Sequence, residues 1–161
     1  MISAILLAAG QSQRMKGQNK LLKNYKGKYL INHILNTLVK SKVNNIFLVL
    51  GFQNLKVRKI IIKSKKIQCI YNKKFKSGLS SSIQAGLNKI SKKNIGFLIV
   101  HADMPLISKG IINILCSVVK NKDKEIFVPV HKKKLGNPLA FKYSMIKSLK
   151  KIKGDRGAKK L

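Results

Sequence analysis

The chain has 161 residues, enough for one domain with a real core. Its formal net charge is +31, carried almost wholly by lysine: Arg14, Arg58 and Arg156 are the only arginines, and Asp103, Asp123, Glu125 and Asp155 the only acids. Cys69 and Cys116 stand too far apart for a zinc or thiol-redox motif, no run approaches the roughly 18 apolar residues of a membrane span, and no secretory leader is visible, so the expectation is a soluble, cytoplasmic protein with reduced thiols and no membrane partner.

Residues 2–7 form a continuous apolar run with Gly10 after it, which predicts a buried strand feeding a tight turn. Residues 30–39 have helical spacing, 45–50 read as a second strand closed by Gly51, 55–62 as a helix and 67–71 as a short strand. Residues 80–90 are helical, with serines suited to the start. Residues 95–100 make another buried strand, ended by Asp103-Met104-Pro105; a helix over 111–119, a strand over 126–130 and a helix over 143–152 follow. Alternating apolar strands and helices predict an α/β fold: a three-layer sandwich with a mostly parallel sheet covered on both faces. No repeat, linker or low-complexity tract divides residues 1–161, which read as a single domain. Ligands of such sheets sit at the carboxyl ends of the strands, and the Gly-rich and polar segments 8–20, 72–82, 102–105 and 135–138 all follow strand ends.

The charge itself carries little functional information. Lys, Ile and Asn together point to codon bias in an AT-rich genome, and a chain selected for phosphate or base contacts would carry more arginine, whose planar fork binds them in bidentate fashion. A basic nucleic-acid-binding module is the competing reading, disfavoured because no aromatic-rich basic strand accompanies the charge.

The strings at the strand ends are more specific. L-A-A-G-Q-S-Q-R-M-K-G-Q-N-K, residues 7–20, places small residues and a glycine where backbone N–H groups can cradle phosphate oxygens, with Arg14 and Lys20 beyond the turn. H-A-D-M-P, residues 101–105, puts Asp103 at a strand end, where a carboxylate can hold Mg²⁺ beside substrate phosphates; His101 reads as packed or hydrogen-bonded rather than catalytic. Residues 72–82, N-K-K-F-K-S-G-L-S-S-S, join a strand to a serine-rich helix start that either caps itself or binds a base edge or phosphate. G-N-P (136–138) and G-D-R-G (154–157) are turns, or they bind an acceptor phosphate through Arg156. There is no G-x-x-x-x-G-K-[ST], no G-x-S-x-G and no evident Ser/His/Asp or Cys/His set. A phosphate-monoester acceptor needs none, since its oxygen is already anionic at neutral pH and attacks the α-phosphorus directly, with positioning and charge neutralisation supplying catalysis.

Taken together, LAAGQSQRM with QNK, the N…GLSSS segment, ADMP, GNP and GDRGA resemble, in this order and along the whole chain, the molybdenum-cofactor nucleotidyltransferases of the MobA-like NTP transferase family. The resemblance implies a nucleotide-diphospho-sugar-transferase type of fold and transfer of a nucleoside monophosphate to a molybdopterin-type acceptor with release of pyrophosphate. It assigns Leu7, Ala8, Ala9, Gly10, Arg14, Lys20, Gly78, Ser80, Ser81 and Ser82 to the nucleotide, Asp103 to Mg²⁺, and Arg14, Lys20 and Asp103 to catalysis. Asn137, Pro138, Asp155 and Arg156 fall to the acceptor half. LAAG with NK matches the cytidylyl members, where guanylyl members typically read LAGG with DK, so CTP is the expected donor. GTP is the alternative, a sugar-phosphate nucleotidyltransferase a neighbouring one, and a molybdoenzyme or its chaperone the expected receiver of the product. Lys16 interrupts the family's usual R-M-G, and members commonly run on past GDRGA by about one further helix-plus-strand unit with an acidic segment. This chain is therefore expected to lack the usual carboxyl-terminal end.

Overall fold

The strand β1 (Ile2–Ala8) is buried along its whole length, because it pairs on both sides and is covered on both faces. The computed structural model describes residues 1–12 and 17–154. After β1 come the small hairpin β2 (Asn24–Tyr25) and β3 (Lys28–Tyr29), then α1 (Leu30–Val39), β4 (Asn45–Leu50), α2 (Asn54–Ile60), β5 (Ile67–Tyr71), α3 (Leu79–Leu87), β6 (Gly96–His101) and α4 (Lys109–Asn121). The chain continues through β7 (Ile126–Phe127), a second hairpin of β8 (Val130–His131) and β9 (Lys134–Leu135), β10 (Leu139–Lys142) and α5 (Ile146–Lys150). Among the described residues the main sheet has six strands in the order β5-β4-β1-β6-β10-β7. The first four are parallel; β10 runs antiparallel to both β6 and β7.

The pleat sorts the core into two layers. Ala4, Leu6 and Ala8 of β1 face one layer with Ile31, Leu35 and Leu38 of α1, Val57 of α2 and Ile112 of α4. Ile5 and Leu7 face the other, with Ile83 and Leu87 of α3 and Leu149 of α5. The period of two along the strand is what sends successive side chains to opposite layers. At Gly86 an added Cβ would lie 2.3 Å from Ile5 Cγ2, so glycine is what lets α3 sit this close to β1. Some of the lysine excess is structural: Lys66 Nζ donates to the Val39 and Ser41 carbonyls (2.9 and 3.2 Å) at the end of α1, where a cation suits the free carbonyls.

The bounds of α1, β4 and β5 are those the sequence predicts. The predicted strand over 126–130 is instead two short pieces, β7 and β8, and the predicted last helix opens with a 3-10 turn, Tyr143–Met145, before α5. β10 was not expected as a strand. It is short and follows a proline, and its place is fixed by tertiary contact: Phe141 stacks on Phe97 of β6, ring centroids 5.6 Å apart.

Candidate functional site

From β1 the chain moves to β4 on one side and later returns to β6 on the other. The carboxyl ends of β1 and β6 therefore flank a topological switch point, where open α/β sheets hold their ligands. β1 releases the turn that contains Ala9 and Gly10, and β6 ends at His101, opposite Leu7, and releases Asp103. A cleft of about 690 Å³ opens between them, a size suited to a small-molecule ligand. Its walls come from residues 7–12, from Lys20 and Leu21, from the segment around Phe75 and Gly78, and from Ser82, His101 and Asp103. No described atom lies within 4 Å of the position a Cβ on Gly10 would take, so the turn looks into open space.

Lys20 and Asp103 meet across this cleft as an ion pair, Lys20 Nζ donating to Asp103 Oδ2. The two side chains remain 43% and 36% exposed, so both are within reach of a ligand. Burial pushes the Asp103 carboxyl pKa up, but the hydrogen bond and charge of Lys20, its own backbone N–H and the charge of His101 together hold it below the ordinary carboxylate value. Asp103 is therefore an anion at neutral pH. Among the described residues no three His, Cys, Asp or Glu side chains gather into a metal cage.

The serine-rich segment is hydrogen-bonded into its own loop. Ser81 Oγ lies 2.8 Å from both the Lys74 and the Gly78 carbonyl, which share its one proton, and accepts from Asn72 Nδ2 at 2.9 Å. Ser82 Oγ accepts from the same amide at 3.1 Å, and the Ser80 N–H is bonded to the Gly154 carbonyl at 3.1 Å. The hydroxyls of Ser81 and Ser82 are engaged in holding the loop. Gly78, at φ +94° on entry to α3, adopts a backbone conformation that L residues rarely take. Of this group Gly78 and Ser82 line the cleft, while Ser80 and Ser81 stand behind them.

Leu7, Ala8, Ala9, Gly10, Lys20, Gly78, Ser82 and Asp103 are thus brought together. Asn137 and Pro138 precede β10, whose first residue pairs with Ile99, so they lie at the same end of the sheet as Asp103 without lining the cleft. Arg14, Asp155 and Arg156 lie outside the described residues.

Four residues without a predicted role hold the site. Asn72, buried at the end of β5, binds both serines and accepts from the Lys74 N–H (3.0 Å). Gly51 ends β4 so close to the rest that an added Cβ would lie 2.5 Å from Phe75 Cβ and 2.8 Å from the Ala9 carbonyl oxygen. The Phe52 N–H donates to that carbonyl at 3.3 Å, and the Phe52 carbonyl accepts from the Asn19 side chain at 3.2 Å. Gly51 carried a signal in the sequence as the residue closing a strand, and Asn19 and Asn72 only as members of motifs; the hydrogen bonds that hold the site depend on distant partners.

The profile of the MobA-like NTP transferase domain matches residues 4–161. Over 156 residues the chain is 33% identical to a probable molybdenum cofactor guanylyltransferase of Clostridium perfringens, covering 93% of this chain and 68% of that protein. It is 30% identical over 146 residues to the adenosylcobinamide-phosphate guanylyltransferase of Methanocaldococcus jannaschii, covering 85% of this chain and 72% of the relative. Among solved structures, Rv0371c from Mycobacterium tuberculosis superposes with a TM-score of 0.87 at 22% identity, over 99% of this chain and 80% of that one. The same mycobacterial protein is also known in complex with manganese, where the TM-score is 0.81 at 20% identity over the same shares of the two chains.

Proposed function

The chain belongs to the MobA-like NTP transferase domain family and is a nucleotidyltransferase of that type; on this premise we propose that it transfers CMP from CTP to the terminal phosphate of a molybdopterin-type cofactor, releasing pyrophosphate. The observation that carries this reading is the facing of the Ala9–Gly10 turn and the Lys20–Asp103 pair across the switch-point cleft. We read residues 1–161 as one NTP-transferase domain.

The turn after β1 borders open space, where its backbone N–H groups would cradle a polyphosphate. Lys20 supplies a compact positive charge to it, and Arg14 belongs to the same half. Asn137, Pro138, Asp155 and Arg156 are assigned to the acceptor half, Arg156 as the bidentate partner of its phosphate. An acceptor phosphate oxygen attacks the α-phosphorus; the new O–P bond forms as the bond to the bridging oxygen of the pyrophosphate breaks, and the two halves hold the reacting groups in line. No general base is required, because the attacking oxygen is already anionic.

A divalent ion, Mg²⁺ in this reading, fits the residues present. Asp103 is an ionised carboxylate at the cleft wall, and Mg²⁺ needs only one or two carboxylates when substrate phosphates and waters supply the remaining ligands. Asp103 would hold it, and when bound it offsets negative charge on the triphosphate. With such an ion on Asp103, Lys20 would be left to neutralise the phosphates, so each partner of the ion pair would have a new one.

The donor base rests on the L-A-A-G turn and on Asn19-Lys20, which favour CTP. The names of the two relatives favour GTP, and a specificity measurement decides. With Mg²⁺ and molybdopterin-type acceptor, kcat/KM for CTP is expected to exceed that for GTP by at least about tenfold, a difference worth roughly 1.4 kcal/mol in transition-state binding. Equal or better use of GTP would defeat the CTP assignment and leave the nucleotidyltransferase reading standing.

A further inference from the structure

We infer that Asn19 is a positioning residue that aims Lys20 at the polyphosphate, an inference that rests on the nucleotide reading of the cleft. Asn19 is 3% exposed. Its Oδ1 accepts from the Leu21 N–H at 3.1 Å, its Nδ2 donates to the Phe52 carbonyl at 3.2 Å, and its own carbonyl accepts from the Leu22 N–H at 3.0 Å. The 3-10 turn Lys20–Leu22 is therefore capped by Asn19 and tied to the loop that ends β4. That loop is in turn bonded to the Ala9 carbonyl through the Phe52 N–H. The Lys20 N–H adds a bond to Ser12 Oγ at 3.3 Å, on the far side of the same turn. Lys20 thus stands on a junction of three segments, and its main chain is fixed relative to the phosphate-cradling turn.

An amide suits position 19: its oxygen accepts from the Leu21 N–H while its nitrogen donates to the Phe52 carbonyl. An ionised Asp lacks the donor, Leu lacks both groups, and Ser offers a single oxygen on a shorter stem in place of two separate polar atoms. The chain carries 35 lysines and arginines, so charge alone does not distinguish Lys20. A lysine has a long stem and much rotamer freedom, and a fixed base for that stem raises the share of time its ammonium spends in the cleft.

The test is a double-mutant cycle on ligand binding, with CTP·Mg²⁺ and CMP as probes and calorimetry as the readout. Asn19→Leu removes both side-chain bonds at near-constant volume. Asn19→Ser keeps an N-cap acceptor for the turn and drops the tie to Phe52, so it carries the test if the leucine variant folds poorly. Each is expected to weaken CTP binding about tenfold while CMP binding stays within about twofold. In a Lys20→Met background the same substitutions should cost CTP nothing further, because the residue they aim is gone. Parallel losses for CTP and CMP, or an undiminished loss in the Lys20→Met background, would make Asn19 a structural residue only and overturn the inference. Wild-type protein that bound CTP no more tightly than CMP would instead defeat the polyphosphate role of Lys20, and the inference with it.

Discussion

Asp103→Asn is expected to lower kcat for nucleotidyl transfer by roughly 10²–10³-fold, the scale of losing one preorganised electrostatic contact to the transition state, while leaving the fold intact. The substitution keeps the shape of the side chain and removes its charge. Asp103 is the carboxylate that the end of β6 presents to the cleft, opposite Lys20, and asparagine binds a divalent ion less well than a carboxylate does. The cost to stability is small because both partners of the pair are more than a third exposed and solvent screens their attraction. Circular dichroism and a melting curve check the fold; initial rates check the chemistry. The direction of the Asp103 pKa shift adds a pH signature. The folded value lies below the ordinary 3.8, so the ion pair's contribution to stability is complete above the unfolded pKa. It is lost only as pH falls through the lower folded value. Protonation of Asp103 should therefore leave turnover unaffected from neutral pH down to the ordinary carboxylate range. Undiminished turnover in Asp103→Asn would remove the residue from the mechanism.

Phe97→Ala is expected to cost about 3–5 kcal/mol, the usual range for emptying an aromatic site in a core. Phe97 is fully buried in β6 and stacks on Phe141 of β10, with 20° between ring planes. It holds the antiparallel strand against the parallel ones and steadies the strand that delivers Asp103. At roughly 2–4 °C per kcal/mol for a domain of this size, the melting temperature should fall by about 6–20 °C. Calorimetry measures it. Well below the new midpoint the variant should retain most of its kcat, because Phe97 is not among the residues that line the cleft. A shift of under about 2 °C would mean that the β6–β10 contact is not a main support of the sheet.

The parts of the fold legible in the sequence are those whose signal is local. β1, β4 and β6 are mostly apolar runs closed by turn residues, because strands buried on both faces show no regular polar side. β10 was not legible: four residues after Pro138 carry no periodicity, and Phe97, 44 positions earlier in the chain, decides their pairing. The site divides in the same way. The Ala9–Gly10 turn, Lys20 and Asp103 were readable because the strings that hold them, L-A-A-G with N-K and A-D-M-P, follow apolar strands in this order; a single lysine among 35 basic residues would have carried no signal. The positioning roles of Asn19, Phe52 and Asn72 were not, since they are hydrogen bonds to partners set by the fold, as between Asn19 and Phe52, 33 residues apart. The bonds that tie Ser81 and Ser82 to Asn72, and Ser81 to nearby carbonyls, were equally illegible, for the same reason.

The central claim is that a bond to the α-phosphorus is exchanged in this cleft. Radiolabelled CTP tests it most directly, carrying the label on either the α- or the γ-phosphate and incubated with protein, Mg²⁺ and molybdopterin-type acceptor. The account predicts that α-label appears in a dinucleotide product and γ-label in pyrophosphate, in equal amounts. Transfer of γ-label to the acceptor, or turnover to CDP and phosphate, would contradict it.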